Sequence, residues 1–137
     1  MLSIIFLIFQ FWTATPINTE ALVRSIALVE SGDAWNPPPV YEPLIYEKYK
    51  DKGEMPYLIK YYGREAACSS YGNFQITLMT AREAGFDVSP WDLAQKDVNE
   101  LIARELIARY MDRYGHTLIA LPRIYKRWNG SSSYINK

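Results

Sequence analysis

One cysteine and one histidine are all that this chain offers to thiolate, disulfide or imidazole chemistry. A lone Cys68 excludes an intramolecular disulfide framework and a thiolate cluster. A lone His116 excludes a multi-histidine metal site and leaves any nucleophilic triad dependent on that one ring. It sits in Tyr114-Gly115-His116-Thr117, which reads as a turn between helices and favours a surface or capping role. Excess charge is lacking too: 15 basic residues balance 15 acidic ones, so neither nucleic acid nor an anionic membrane surface is implied as the main partner. No hydrophobic run is long enough to span a bilayer as a helix. Strand-like alternation of any length and internal repeats are also missing, which points to a mostly α chain. At 137 residues, 49% of them hydrophobic, the chain fits one domain with a genuine core.

What is abundant is aromatic. Four Trp, eleven Tyr and five Phe make up 15% of the chain. Rings with an apolar face and a polar edge suit sugars, whose C–H faces stack while their hydroxyls seek hydrogen bonds, although core packing accounts for most such residues. Tyr41, Tyr46, Tyr71 and Trp128 are the candidates for lining a saccharide groove.

The apolar run Leu2 to Trp12, broken by Ser3 and Gln10, has the length of a signal-peptide core, but no Lys or Arg precedes it and Thr13-Ala14-Thr15 is a weak cleavage pattern. The expectation is an apolar leader over residues 1–17, either a signal peptide or a helix packed on the domain, and one domain over 18–137. Asn18 and Thr19 can cap a helix from Glu20. Leu22, Ile26 and Val29 then form one stripe and Val23, Ala27 and Glu30 the adjoining row, with Gly32 as the stop and Pro37-Pro38-Pro39 forbidding resumption. Residues 35–70 read as a long irregular Tyr/Pro-rich insertion with short helices such as Leu44 to Lys50. Thereafter Thr77 caps a helix ending at Gly85, and Ser89-Pro90 opens another. Asp97 with Glu100 resembles a capping box for a long helix reaching Tyr114. A last helix, tolerating Pro122 near its first turn, ends near Asn129-Gly130.

Three segments in order, Glu30-Ser31-Gly32, Gly72-Asn73-Phe74-Gln75-Ile76 and Trp128-Asn129-Gly130, resemble the signature motifs of the lytic transglycosylases related to goose-type lysozyme. The resemblance runs from Glu20 to about Ser131 apart from the insertion. It implies a lysozyme-like fold, peptidoglycan glycan strands as the substrate, and no metal or organic cofactor. In that family the glutamate opening the first motif is the only catalytic carboxylate, which assigns that role to Glu30. Gln75 matches the substrate-contacting glutamine and Asn129 the third-motif asparagine; Ser31, Tyr71, Phe74 and Trp128 are the accompanying substrate-binding candidates. Two departures stand out. The family's Gly-Leu-Met-Gln is here Gly72-Asn73-Phe74-Gln75, and its Ala-Tyr-Asn is Arg127-Trp128-Asn129, so the tyrosine hydroxyl expected near the catalytic glutamate is missing unless Tyr125, one turn earlier, supplies it.

The chemistry of the residues agrees. A glutamic acid donates a proton to a leaving glycosidic oxygen near neutral pH when an apolar site raises its pKa, and Glu30 lies at the edge of the Val23–Ala27 row. A hydrolase needs a second carboxylate besides. The candidates are Asp33, Glu42, Glu54 and Glu65, of which Asp33, three residues past Glu30, is the foremost, against a plain turn role beside Gly32. The alternatives to a transglycosylase are therefore a hydrolytic muramidase on the same fold and a non-catalytic wall-binding module. The setting expected is secreted, periplasmic or cell-envelope: an enzyme opening the wall for a secretion or conjugation machine, or a phage lysis or entry factor. No residue separates these.

Overall fold

A computed structural model of the chain describes residues 2–132; residues 133–137, the end of the expected domain, lie outside it. The described chain is mostly helical, as expected. The apolar run forms α1 (Leu2–Ala14), which carries no acidic or basic residue in its first or last turn. It stands out from the rest, with Ile4, Phe6 and Leu7 each 60% exposed or more. The short link behind it is stitched down. Pro16 pairs with Thr117 in an isolated bridge, Ile17 N–H donates to the His116 carbonyl, and Leu118 N–H donates to Thr15. No described helix is long and apolar enough to cross a membrane.

α2 (Thr19–Ser31) begins as the sequence predicts, with Asn18 accepting from the Ala21 amide. Its apolar face buries Leu22, Val23, Ile26 and Ala27. Ile26, 1% exposed, is a position where truncation to Ala costs about 2–5 kcal/mol. Gly32, in the left-handed conformation, closes the helix, and the next amide, Asp33, reaches back to the Ala27 carbonyl in a Schellman-type end.

Residues 35–70 hold more regular structure than their prolines and tyrosines suggest, and the short helix expected over Leu44 to Lys50 forms one residue earlier at each end. They contain β1 (Val40–Tyr41), α3 (Pro43–Tyr49), α4 (Met55–Tyr62), α5 (Arg64–Ala67) and the start of β2 (Ser69–Tyr71). Ile45, Met55, Leu58, Ala67 and Cys68 from this stretch belong to the main hydrophobic core. β2 pairs antiparallel with β1 on one side and with β3 (Ile76–Thr77) on the other. Strands of two or three residues carry no legible alternation, which is why the sheet was not expected.

α6 (Leu78–Glu83) is capped by Thr77, and α7 (Pro90–Ala94) by a Ser89–Asp92 capping box. α8 (Lys96–Tyr114) runs through the core. The capping box expected at Asp97 and Glu100 does not form. The helix already starts at Lys96, so Asp97 is inside the first turn, and its carboxylate accepts from the adjacent Val98 amide. A 3-10 turn (Leu118–Ala120) leads into α9 (Leu121–Ser132). Pro122 falls in the first turn of α9, where its missing N–H costs nothing. The helix continues past the expected stop at Asn129-Gly130. His116 is exposed and its ring lies 3.0 Å from the Asp112 carboxylate, a surface role.

Candidate functional site

Glu30 sits in the last turn of α2, half-buried, one turn beyond Ala27. Ser31, next to it, donates from Oγ to the Asn73 carbonyl at 2.8 Å, with the Ala27 carbonyl a second acceptor at 3.1 Å. The end of α2 is thereby tied to the four-residue turn Gly72–Gln75 between β2 and β3. A second tie runs from Asn73 Nδ2 to the Ala34 carbonyl (2.8 Å), with the Asp33 carboxylate at 3.4 Å.

That turn has a demanding conformation. Gly72 has φ of +73° and Gln75 of +49°, the left-handed region that costs most side chains energy. What holds it is Asn99, a fully buried residue of α8. Its Nδ2 donates to the Tyr71 and Leu93 carbonyls, each at 2.9 Å, and its Oδ1 accepts from the Phe74 amide at 3.1 Å. A Cβ on Gly72 would collide with the Asn99 side chain, so glycine is required there on two counts.

Behind Glu30 lies a second carboxyl. Glu42, at the junction of β1 and α3, is only 4% exposed. Burial is the first cause, and the negative charge of Glu30 a further one, that push its carboxyl up to about 7, against the pull of a hydrogen bond from Ser70. Ser70 Oγ is 3.4 Å from Glu42 Oε1 and 2.8 Å from Gln75 Oε1. The Gln75 amide nitrogen donates to the Gly72 carbonyl at 2.9 Å. Glu42 Oε2 is buried with no hydrogen-bond partner among the described residues.

The first and second motifs therefore meet, and the third touches them through Trp128, whose ring stands edge-on to Phe74 with centroids 6.3 Å apart. Several expected substrate contacts turn out to be internal instead. Trp128 (2% exposed), Phe74 and Tyr71 are buried in the core, and Tyr71 donates its hydroxyl to the Ala66 carbonyl. The Tyr71 and Trp128 rings cannot stack on a sugar, which corrects their proposed groove-lining role, whereas Phe74 reaches the end of the polar cleft beside the site. Gln75 is buried and both ends of its amide are engaged, and Ser31 spends its hydroxyl on backbone carbonyls. Tyr125 does not bring its phenol to Glu30. The hydroxyl is hydrogen-bonded with Ser25 Oγ at 2.5 Å, more than a turn earlier on α2. Asn129 is exposed on α9. Tyr46 is covered by the Arg64 guanidinium, 3.9 Å from the ring centre, while Tyr41 is half-buried on β1.

The accessible surface next to the site is a polar cleft of about 210 Å³. Val23, Arg24 and Ala27 of α2 form one wall, Lys96, Glu100 and Arg104 of α8 the other, and Asp33, Asn73 and Phe74 its end. Asp33 is an exposed turn residue with φ of +54°. Beside it Trp35 is 83% exposed, its ring face held by Lys96 Nζ at 4.5 Å from the centroid. Trp35 and Asn99 were not among the sequence candidates, and Glu42 stood behind Asp33. Asn99 was traceable as the polar member of an otherwise apolar helical row with Ile102, Ala103 and Leu106, and Glu42 as a poor capping residue at a helix start marked by Pro43. Nothing in the sequence marks the exposure of Trp35. No protein-family model, curated protein or solved structure matches this chain.

Proposed function

We propose that this protein cleaves the glycan strands of peptidoglycan as a lytic transglycosylase built on a lysozyme-like domain, with Glu30 as its single proton-transferring carboxyl. The observation that carries the reading is the meeting of Glu30 with the Gly72–Gln75 turn, two segments separated by more than 40 residues and joined through Ser31 and Asn73. A carboxyl at a helix C-terminus is disfavoured by the helix dipole, and its retention beside an elaborately braced turn is intelligible if it does chemistry. Trp35 and the cleft along α2 offer an aromatic face and hydrogen-bonding groups to a saccharide.

In the reaction Glu30 gives its proton to the glycosidic oxygen as the bond between the muramic C1 and that oxygen breaks, with the N-acetyl group assisting at C1. The glutamate, now ionised, takes the proton from the muramic 6-hydroxyl as O6 closes on C1. Atoms balance without water, and the product carries a 1,6-anhydro end. The burial of Glu42, 4% exposed, removes it as a hydrolase's second carboxylate, which needs access to water or to the sugar; a hydrolytic course would fall to Asp33, exposed at the end of the cleft.

The test is mass spectrometry of fragments released from purified peptidoglycan by the wild type and by Glu30→Gln. Anhydromuramic ends are expected from the wild type, falling at least about 100-fold in the variant. Reducing ends instead would make the protein a muramidase, and binding without any release would make it a wall-binding module.

A further inference from the structure

Away from Glu30 the molecule carries a row of aromatic rings open to solvent. Tyr57 and Tyr61 lie one turn apart on α4, whose buried residues are Met55 and Leu58, and their rings stack with centroids 5.9 Å apart. Tyr61 meets Tyr62 edge-on at 4.8 Å, and Tyr62 meets Trp91 of α7 edge-on at 5.8 Å. The row thus crosses from one helix to the next. Tyr57, Tyr61 and Trp91 are 58%, 69% and 66% exposed, while Tyr62, half-buried against the core, anchors them. We propose that Tyr57, Tyr61 and Trp91 form a second glycan-binding surface, which holds a peptidoglycan strand outside the place where Glu30 cuts it. The identity of that polymer rests on the proposed function; the surface itself rests on the rings.

The chemistry of the row fits a sugar polymer better than a protein partner. Every large hydrophobic side chain that α4 and α7 expose is aromatic, and their Met55, Leu58 and Leu93 are buried. A protein interface mixes such rings with Met and Arg, and these two helices expose neither. The phenols are also unspent. Tyr71 and Tyr125 commit their hydroxyls to the Ala66 carbonyl and to Ser25, whereas those of Tyr57, Tyr61 and Tyr62 have no hydrogen bond among the described residues. Each is left as a donor and acceptor for a sugar hydroxyl beside a ring that can stack on C–H groups. Because the rings brace one another, little side-chain entropy is lost when a ligand settles on them. The row also leads to the cleft. Trp91 stands five positions before Lys96, whose ammonium meets the Trp35 ring and whose side chain lines the cleft. Five residues reach at most about 18 Å, so one strand a few sugars long can occupy both.

The experiment is co-sedimentation of the full chain with purified, protease-treated peptidoglycan, carried out on Glu30→Gln so that the polymer stays whole. Adding Tyr61→Ala and Trp91→Ala should weaken binding about tenfold or more. Tyr61→Phe with Trp91→Phe keeps the rings and should stay within about threefold of the parent. If the double alanine variant does not fold, Trp91→Ala alone is read in the same assay, with a fall of about threefold. Equal affinity of the alanine variants and the parent overturns the inference, as does an equal loss in the phenylalanine pair or no binding by the parent at all. Binding that falls in the alanine variants, beside a wild type that releases no fragments, upholds the surface and overturns the proposed cleavage. Unchanged binding beside release of anhydromuramic ends by the wild type does the reverse.

Discussion

A carboxyl buried as deeply as Glu42 works against the fold whenever it is ionised. Burial lifts its folded-state value to about 7 from the ordinary 4.5, so the folded protein keeps a proton that the unfolded chain releases between those two values. Stability is therefore greatest below about pH 4.5 as far as this residue is concerned, and it declines as pH rises to about 7. The decline is on the order of 3 kcal/mol at most. Urea midpoints at pH 5 and pH 8 should show the wild type losing more than Glu42→Gln over that interval, since an amide has no charge to bury. Equal losses would mean that Glu42 is solvated when ionised. Nothing in the local sequence discloses this. Tyr41-Glu42-Pro43 signals a helix start, and only the return of β2 alongside β1 puts a lid of protein over the side chain.

At the scale of elements, the decisive contact is between α8 and the turn joining β2 to β3. Asn99→Ala would strip three hydrogen bonds from a buried site, those to the Phe74 amide and to the Tyr71 and Leu93 carbonyls, a loss of about 3 kcal/mol to be read from the urea midpoint. Activity should fall further than stability, because Gln75 belongs to this turn and Ser70 to the strand that enters it. Gly72→Ala should behave in the same way through strain at its positive φ and collision with Asn99; if either variant keeps wild-type stability, the turn is held by something other than Asn99. The helices around this contact were legible because their signals are local. Asn18, Thr77 and Ser89 cap where the sequence says they do, and Gly32 and Gly115 stop α2 and α8. The start of α8 was misjudged by a residue or two because Asp97 satisfies an amide within the helix rather than before it. The end of α9 was misjudged because a glycine need not stop a helix.

For the molecule as a whole, the contrast is between a domain with one continuous core and a helix, α1, whose described side chains face outward on all sides. At thirteen residues it is about 20 Å long, shorter than the roughly 30 Å of a bilayer's hydrocarbon core. Removing residues 2–14 should change stability by less than about 1 kcal/mol, a shift in Tm of a few degrees at most, because the core begins at Ile17. Calorimetry of the full and shortened chains checks this, and a large drop in Tm would mean that α1 folds back on the domain in solution.

Local chemistry is what the sequence determined alone: helical periodicity, caps and stops, the absence of a disulfide, and Glu30 at the end of an amphipathic helix, since each depends on residues within a turn or two of one another. Tertiary structure decided the rest, because it depends on approaches between distant segments. It drew Ile45, Met55, Leu58, Ala67 and Cys68 into the core, turned Tyr71, Phe74 and Trp128 inward, and left Trp35 in solvent. It also set Glu42, twelve residues from Glu30 across three prolines, where burial and a neighbouring negative charge hold its proton.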